Sequence, residues 1–335
     1  MPIAIVVGLP HLSAGPILSR ALALRCPLLV SANALSRWAM RRGVREWAGW
    51  RLAPLANLPE RADCMLDSGG FTAHVTYRGF PWTIAQYLDL AAAYPFRLFA
   101  SLDYPAEHEI AGDRAAVRER ISRTIAANRE TRRQAEDRGL EDRLMPVLQG
   151  RTPEDFERCA DALAWSIVPG RTIGVGSMCR RQTRGPDGLV AVLEHLDRVL
   201  PARVRLHAFG VKGDALPYLR HLEHRVVSID SQAYGVAARR DAHRRGVPKT
   251  DRVVARHMTR WVEAQTRAAT ARGQRLPPFA VPTPDPIITV PRESAIARAR
   301  QEINDLIESG DLDHDDIVES WIEAWAADLP LEEHD

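Results

Sequence analysis

The chain has 335 residues, 45% of them hydrophobic and 26% charged, enough for one large barrel with an appendage or for two ordinary domains. That composition excludes a mainly disordered chain, and no run of about 18 apolar residues is present to form a helical membrane span. The formal net charge of +2 hides a split, because Glu293–Asp335 carries a net −12 and the preceding body +14, which is compatible with a polyanionic substrate.

The opening stretch MPIAIVVGLPHLSAG has an apolar run with no basic region ahead of it, so it reads as a first strand and not as a signal peptide. Eight β-rich runs then follow in series: Ala4–Leu9, Leu28–Ala32, Cys64–Asp67, Leu98–Asp103, Met145–Gln149, Ile173–Ser177, Val204–Gly210 and Val226–Asp230. Most intervals hold helical patterns, at Pro81–Tyr94 with Thr83 as N-cap, Arg114–Arg138, Pro153–Trp165, Gly188–Leu200 and Asp214–Leu222. Strand and helix alternating eight times predict an α/β fold, a TIM (β/α)8 barrel, over residues 1–240; a doubly wound open sheet is the competing arrangement. Residues 241–275 read as a basic helix packed on the barrel, its helical stretch running from Pro248 to Gly273. Val253, Val254, Met258, Trp261 and Val262 form its apolar stripe. A proline-rich linker over 276–292 and an acidic helical segment over 293–335 complete the chain, with helices expected at Glu293–Glu308 and Asp313–Trp325. Cys26, Cys64, Cys159 and Cys179 are far apart with no CxxC pair, which argues against a disulfide framework or a zinc knuckle and for a reducing cytoplasm.

In a parallel barrel the catalytic groups gather at the C-terminal strand ends. Here those ends read Asp67-Ser68-Gly69-Gly70, Ser101-Leu102-Asp103, Gln149-Gly150-Arg151, Gly174-Val175-Gly176-Ser177, His207-Ala208-Phe209-Gly210 and Ser228-Ile229-Asp230-Ser231. Paired aspartates can divide the roles of nucleophile and proton carrier. Displacing a base from a sugar passes through an oxocarbenium-like state that a carboxylate stabilises and then traps. A third Asp and a Gln can read the donor and acceptor edge of a purine. Taken singly, each residue has a plainer explanation. The aspartates could cap helices or bind loop amides, Ser68-Gly69-Gly70 fits a tight turn, Gln149 a loop hydrogen bond, and His207 a satisfied core histidine. Three carboxylates on strand ends at one mouth favour chemistry.

LDSGGFT at Leu66–Thr72 resembles the DSGGF motif of the tRNA-guanine transglycosylases. SLDYP, VLQGRT, IGVGSMCRRQ, HAFGVKGDAL and SIDSQAYG follow in that family's order, with wording closer to its DpdA-type branch, which places deazaguanine bases in DNA. The resemblance spans Ile3 to Arg240, and six spaced motifs agree in order. It implies a pentosyltransferase that exchanges guanine for a 7-deazaguanine base (queuine- or preQ0-like), through a covalent Asp–sugar intermediate. Asp230 would be the nucleophile and Asp67 the general acid/base. Ser68 and Gly69 would lie beside the base, Asp103 and Gln149 would hold it, and Gly174 to Ser177, Gly176 included, would floor its pocket near His207. The family follows its last strand with a zinc site of clustered cysteines and a histidine. This chain has no cysteine after Cys179 and offers only His243 and His257 over Arg239–Arg260, so neither zinc nor any other cofactor is expected.

Arg252, Arg256 and Arg260 recur every four residues on one helix face and would contact phosphates of a nucleic acid, though a solvated face explains them equally. No compact RNA-binding module follows the barrel, and the acidic C-terminal segment suits a protein partner better than tRNA. Together with the motif wording this selects DNA plus a free deazaguanine base as partners, without a membrane. A tRNA-acting transglycosylase and a catalytically silent nucleic-acid-binding barrel subunit are the alternatives. A base inside a duplex cannot reach such a pocket unless it is flipped or single-stranded.

Overall fold

The computed structural model describes residues 2–274, except 43, 108, 109, 180 and 272, together with Ile296. The expected proline-rich linker and, apart from Ile296, the acidic helices therefore lie outside the described residues. Eleven strands follow in chain order: β1 (Ala4–Leu9), β2 (Leu28–Ser31), β3 (Ser36–Arg41), β4 (Val44–Trp50), β5 (Cys64–Asp67), β6 (Leu98–Ala100), β7 (Leu144–Met145), β8 (Val147–Leu148), β9 (Thr172–Val175), β10 (Arg205–Ala208) and β11 (Val226–Ser231). β3 and β4 form an antiparallel hairpin; the other nine make one parallel sheet in the order β7-β6-β5-β2-β1-β11-β10-β9-β8. β7 and β8 are the halves of one stretch, divided at Pro146, which has no N–H to give to a ladder. β7 pairs with β6 and β8 with β9, so the sheet meets itself at this stretch. The result is an eight-staved (β/α) barrel, as the alternation of strand and helix predicts.

The helices are α1 (Pro16–Leu24), α2 (Gly70–Tyr77), α3 (Ile84–Ala92), α4 (Arg114–Glu136), α5 (Pro153–Ala162), α6 (Leu189–Val199), α7 (Leu216–Leu219), α8 (Ala233–Arg244) and α9 (Asp251–Thr270). Their starts obey capping chemistry. Thr83 and Thr152 each close a capping box, with Gln86 and Asp155 respectively, while Asp113 and Thr250 accept from first-turn amides. The period-two alternation of the strands divides the core. Val7, Leu9, Leu28, Val30 and Leu66 face outward onto α1 and α3, whereas Val6, Leu29 and Met65 point into the barrel against Leu98 and Phe209. Each such side chain contributes roughly 1.5–3 kcal/mol by leaving water.

Several elements depart from the sequence reading. β6, β9 and β10 are shorter than expected, ending at Ala100, Val175 and Ala208, although the next amides of Ser101, Gly176 and Phe209 still donate to the neighbouring stave. The helix expected over Asp214–Leu222 is broken: Pro217 starts the short α7 between two 3-10 turns. α8 is a separate helix after β11 and crosses a boundary drawn between Arg240 and Asp241. The basic helix is α9, which buries Val254, Met258 and Val262 as expected, while Val253 and Trp261 are only partly covered. The β3–β4 hairpin has no counterpart in the alternating pattern. Its Trp47 and Trp50 pack on one another and on Trp82.

Candidate active site

All staves are parallel, so the ends of β5, β6, β9, β10 and β11 share one face of the barrel. Asp67 ends β5 opposite Ser31 of β2. Its Oδ2 accepts from the Gly69 amide at 3.0 Å, and the Ser31 hydroxyl also bonds it. Gly69 takes φ +79, a left-handed conformation, and a Cβ there would fall 2.6 Å from Asn33 Nδ2, which donates to the Gly69 carbonyl at 3.1 Å. The Ser68-Gly69-Gly70 turn is thus both a tight turn and a holder of the carboxylate.

A continuous relay runs on from there. Ser68 Oγ donates to Asp103 Oδ1 at 2.6 Å, and Gln149 Nε2 donates to Asp103 Oδ2 at 2.5 Å. The Ser177 hydroxyl donates to Gln149 Oε1, and the Ala106 amide donates to Ser177 Oγ at 2.8 Å. Ser177 is held at φ +54, an uncommon setting for a non-glycine residue. Ser68, Asp103, Gln149 and Ser177 are all buried, so the amide orientation of Gln149 is fixed by its two partners and one Nε2 hydrogen remains for a ligand.

Asp230 is the penultimate residue of β11, 8% exposed. Its Oδ1 accepts from the Gly210 amide at 3.0 Å and lies 3.4 Å from His207 Nε2. His207 is fully buried beneath it, edge-on to Phe209, with Nδ1 2.8 Å from Ser228 Oγ. Gly174 lies in the layer of Phe209: a Cβ there would be 2.6 Å from that ring. It makes room for the barrel's interior packing.

Burial pushes the Asp67 carboxyl up to about 7, helped by the negative charges of Asp103 and Asp230 and opposed by the Gly69 and Ser31 bonds. Burial likewise raises Asp103, against the bonds from Ser68 and Gln149. One mouth therefore holds a carboxyl that exchanges protons at neutral pH beside two further aspartates. That charge set favours a cationic transition state.

Two contributors went unread in the sequence. Ser31 bears no motif. Arg181 looks like half of a surface Arg-Arg pair, yet it is buried and donates to four carbonyls: Ser177 (2.8 Å), Arg151 (2.7 Å), Asp187 (2.6 Å) and Gly150 (3.0 Å). It knots the loops that carry Gln149 and Ser177.

Gly176 has a purpose specific to this site. A Cβ there would meet Gln149 Nε2 at 2.2 Å. Gly176→Ala is expected to displace Gln149 from Asp103 and Ser177 and to destabilise the fold by about 1–3 kcal/mol through lost buried hydrogen bonds. Urea unfolding together with the KM for free base would measure it. Unchanged stability and KM would sink the argument.

Arg252, Arg256 and Arg260 lie exposed on the outer face of α9, with no ion pair given to them among the described residues; they are not part of the mouth network. In the stretch corresponding to the family's zinc ligands, the Asp241 carboxylate is taken by His257 (3.2 Å), Arg244 (3.2 Å) and Arg245 (3.4 Å). Two guanidinium groups on the one carboxylate do not fit a cation site. Among the described residues no cluster of three or more His, Cys, Asp or Glu is poised for a metal.

The fold and this cluster define an α/β-barrel protein with three aspartates gathered at the C-terminal ends of its strands. Residues 27–277 match the family DpdA, described as DeoxyPurine in DNA protein A, and the chain belongs to that tRNA-guanine transglycosylase-like family of DNA deazapurine modification. No curated protein matches the chain. Among the described residues no helix is long and apolar enough to cross a membrane.

Proposed function

We propose that this protein exchanges guanine in DNA for a 7-deazaguanine base of the preQ0 type, through a covalent aspartyl–sugar intermediate and without a cofactor. The carrying observation is the contrast at the mouth between Asp67, pushed up to about 7, and Asp230, held by a backbone amide over His207. An Asp230 carboxylate oxygen attacks C1′ of the target nucleotide. The C1′–N9 bond breaks, and protonated Asp67 gives its proton to the departing guanine. The incoming deazaguanine passes its N9 proton to the Asp67 carboxylate and attacks C1′. The ester to Asp230 then breaks, and both carboxyl groups return to their starting states.

Asp103 and the remaining hydrogen of Gln149 Nε2 hold the base edge, with Ser68 and Ser177 keeping both oriented. Arg252, Arg256 and Arg260 supply phosphate contacts away from the mouth. The four thiols are free, which suits a cytoplasmic setting. The test offers the purified protein labelled guanine and preQ0 with single-stranded DNA, duplex DNA and tRNA, followed by nucleoside mass spectrometry. Label entering DNA supports the proposal. Label entering tRNA alone, or no label in any substrate, overturns it.

A further inference from the structure

We infer that the β3–β4 hairpin opens the DNA duplex for the site, with Met40 as the wedge and Arg41 and Arg42 as its phosphate contacts. This rests on the proposal that DNA is the substrate.

Position is the first argument. The hairpin springs from the end of β2, five residues after Ser31, which bonds Asp67, and three after Asn33, which holds the Gly69 carbonyl. Rigidity is the second. Trp38 stacks on Tyr77 at 4.3 Å, and Trp47 and Trp50 pack on Trp82 at 6.1 and 5.0 Å. Trp82 contacts Phe80, and Phe80 contacts Tyr104, the neighbour of Asp103. An unbroken run of rings thus connects the hairpin to the mouth, so a force on its tip meets a firm base.

The tip itself is the third argument. Met40 is 69% exposed, the most exposed large hydrophobic side chain among the described residues. Exposed Arg41 and Arg42 follow it. Arg41 has only a loose 3.8 Å contact with exposed Glu46. Arg37–Arg51 contains five arginines against one glutamate. An exposed apolar side chain followed by two exposed arginines does not suit a neutral protein surface. It suits a duplex, whose phosphates take the arginines and whose opened stack takes an unbranched apolar side chain. A two-stranded ribbon also has the width of a groove. The chemistry at the mouth needs the target nucleotide out of the stack.

The test compares the full chain with Met40→Ala and with an Arg41→Ala/Arg42→Ala double variant. Each is offered one sequence as duplex and as single strand, with 2-aminopurine beside the target guanine. Met40→Ala should lose the 2-aminopurine fluorescence rise on duplex and cut duplex exchange by about tenfold or more, leaving single-strand exchange unchanged. The double variant should weaken binding to both DNAs and lower the salt slope of affinity by about 2. Equal effects of Met40→Ala on both DNAs, no effect on either, or a fall in the protein's sedimentation mass would overturn the wedge; the last would make the tip a contact between two copies. If the wild type binds DNA without exchanging guanine, the functional proposal fails alone, and fluorescence and salt slope still judge the hairpin. No DNA binding at all overturns both.

Discussion

Asp230→Ala is expected to abolish both the covalent adduct with DNA and all base exchange. The carboxylate is the only group proposed to bond to C1′, and the methyl that replaces it can neither stabilise an oxocarbenium-like state nor trap it. Losing that route raises the barrier by on the order of several kcal/mol, and each 1.4 kcal/mol is tenfold in rate. The surroundings make this a clean experiment. Asp230 Oδ1 takes one backbone amide and lies near one histidine, so truncation leaves little unpaired. Denaturing gels of protein mixed with DNA and labelled base would read the adduct, and nucleoside mass spectrometry the exchange. Wild-type exchange by this variant would refute the nucleophile assignment.

Asp67→Asn should behave differently in two respects. Exchange should fall roughly 10²–10⁴-fold, the usual worth of a positioned general acid/base, but Asp230 remains, so an adduct forms slowly and then persists because nothing deprotonates the incoming base. In the wild type, adduct formation should decline as pH rises above about 7, where Asp67 loses the proton it must donate; the asparagine variant should lack that decline. Wild-type stability should fall over the same pH range. The folded pKa of Asp67 lies above its unfolded 3.8, so the native state binds the proton more tightly. The stability this supplies is complete below about pH 4 and is lost as pH rises through 7. At pH 8 the ionised carboxylate strains the fold, and Asp67→Asn should stabilise it by roughly 1–3 kcal/mol, less than the full shift because the group is partly exposed and shares its field with Asp103 and Asp230. Urea melts at pH 4.5 and pH 8 would check this; a variant less stable than wild type at pH 8 has the wrong sign.

The staves and their polar ends were readable from the chain because each β-rich run reaches a polar residue, Asp67, Asp103, Gln149 or Asp230, at or just past its last apolar positions. Alternation with helices fixed the architecture, and family wording added the roles. What escaped had no periodic signature. Arg181 looks like solvent-facing charge until the carbonyls of Gly150, Arg151, Ser177 and Asp187 are folded around it. Ser31 matters only because β2 and β5 pair in a register that sets it opposite Asp67. The division of Leu144–Leu148 at Pro146 turns on which neighbour each half meets. The β3–β4 hairpin was hidden by its composition, with arginine, alanine, glycine and glutamate where Val and Ile usually mark strands.

The pairing of β1 with β11 joins strands more than two hundred residues apart, and this has a consequence during synthesis. A chain still on the ribosome has β1 and β2 long before β11, so one flank of β1 stays unpaired until the last stave emerges. Asp230 arrives on that same stave, and Tyr234 just after it fastens the seam by donating to the Gly8 carbonyl at 2.6 Å. Sealing the barrel and bringing Asp230 to Asp67 are thus one event. A stalled or clipped product that lacks β11 would keep an unpaired edge on β1 and, on the proposed mechanism, have no carboxylate with which to bond a sugar. On the proposed mechanism, the order of the strands withholds the sugar-bonding carboxylate from any unfinished copy of the chain.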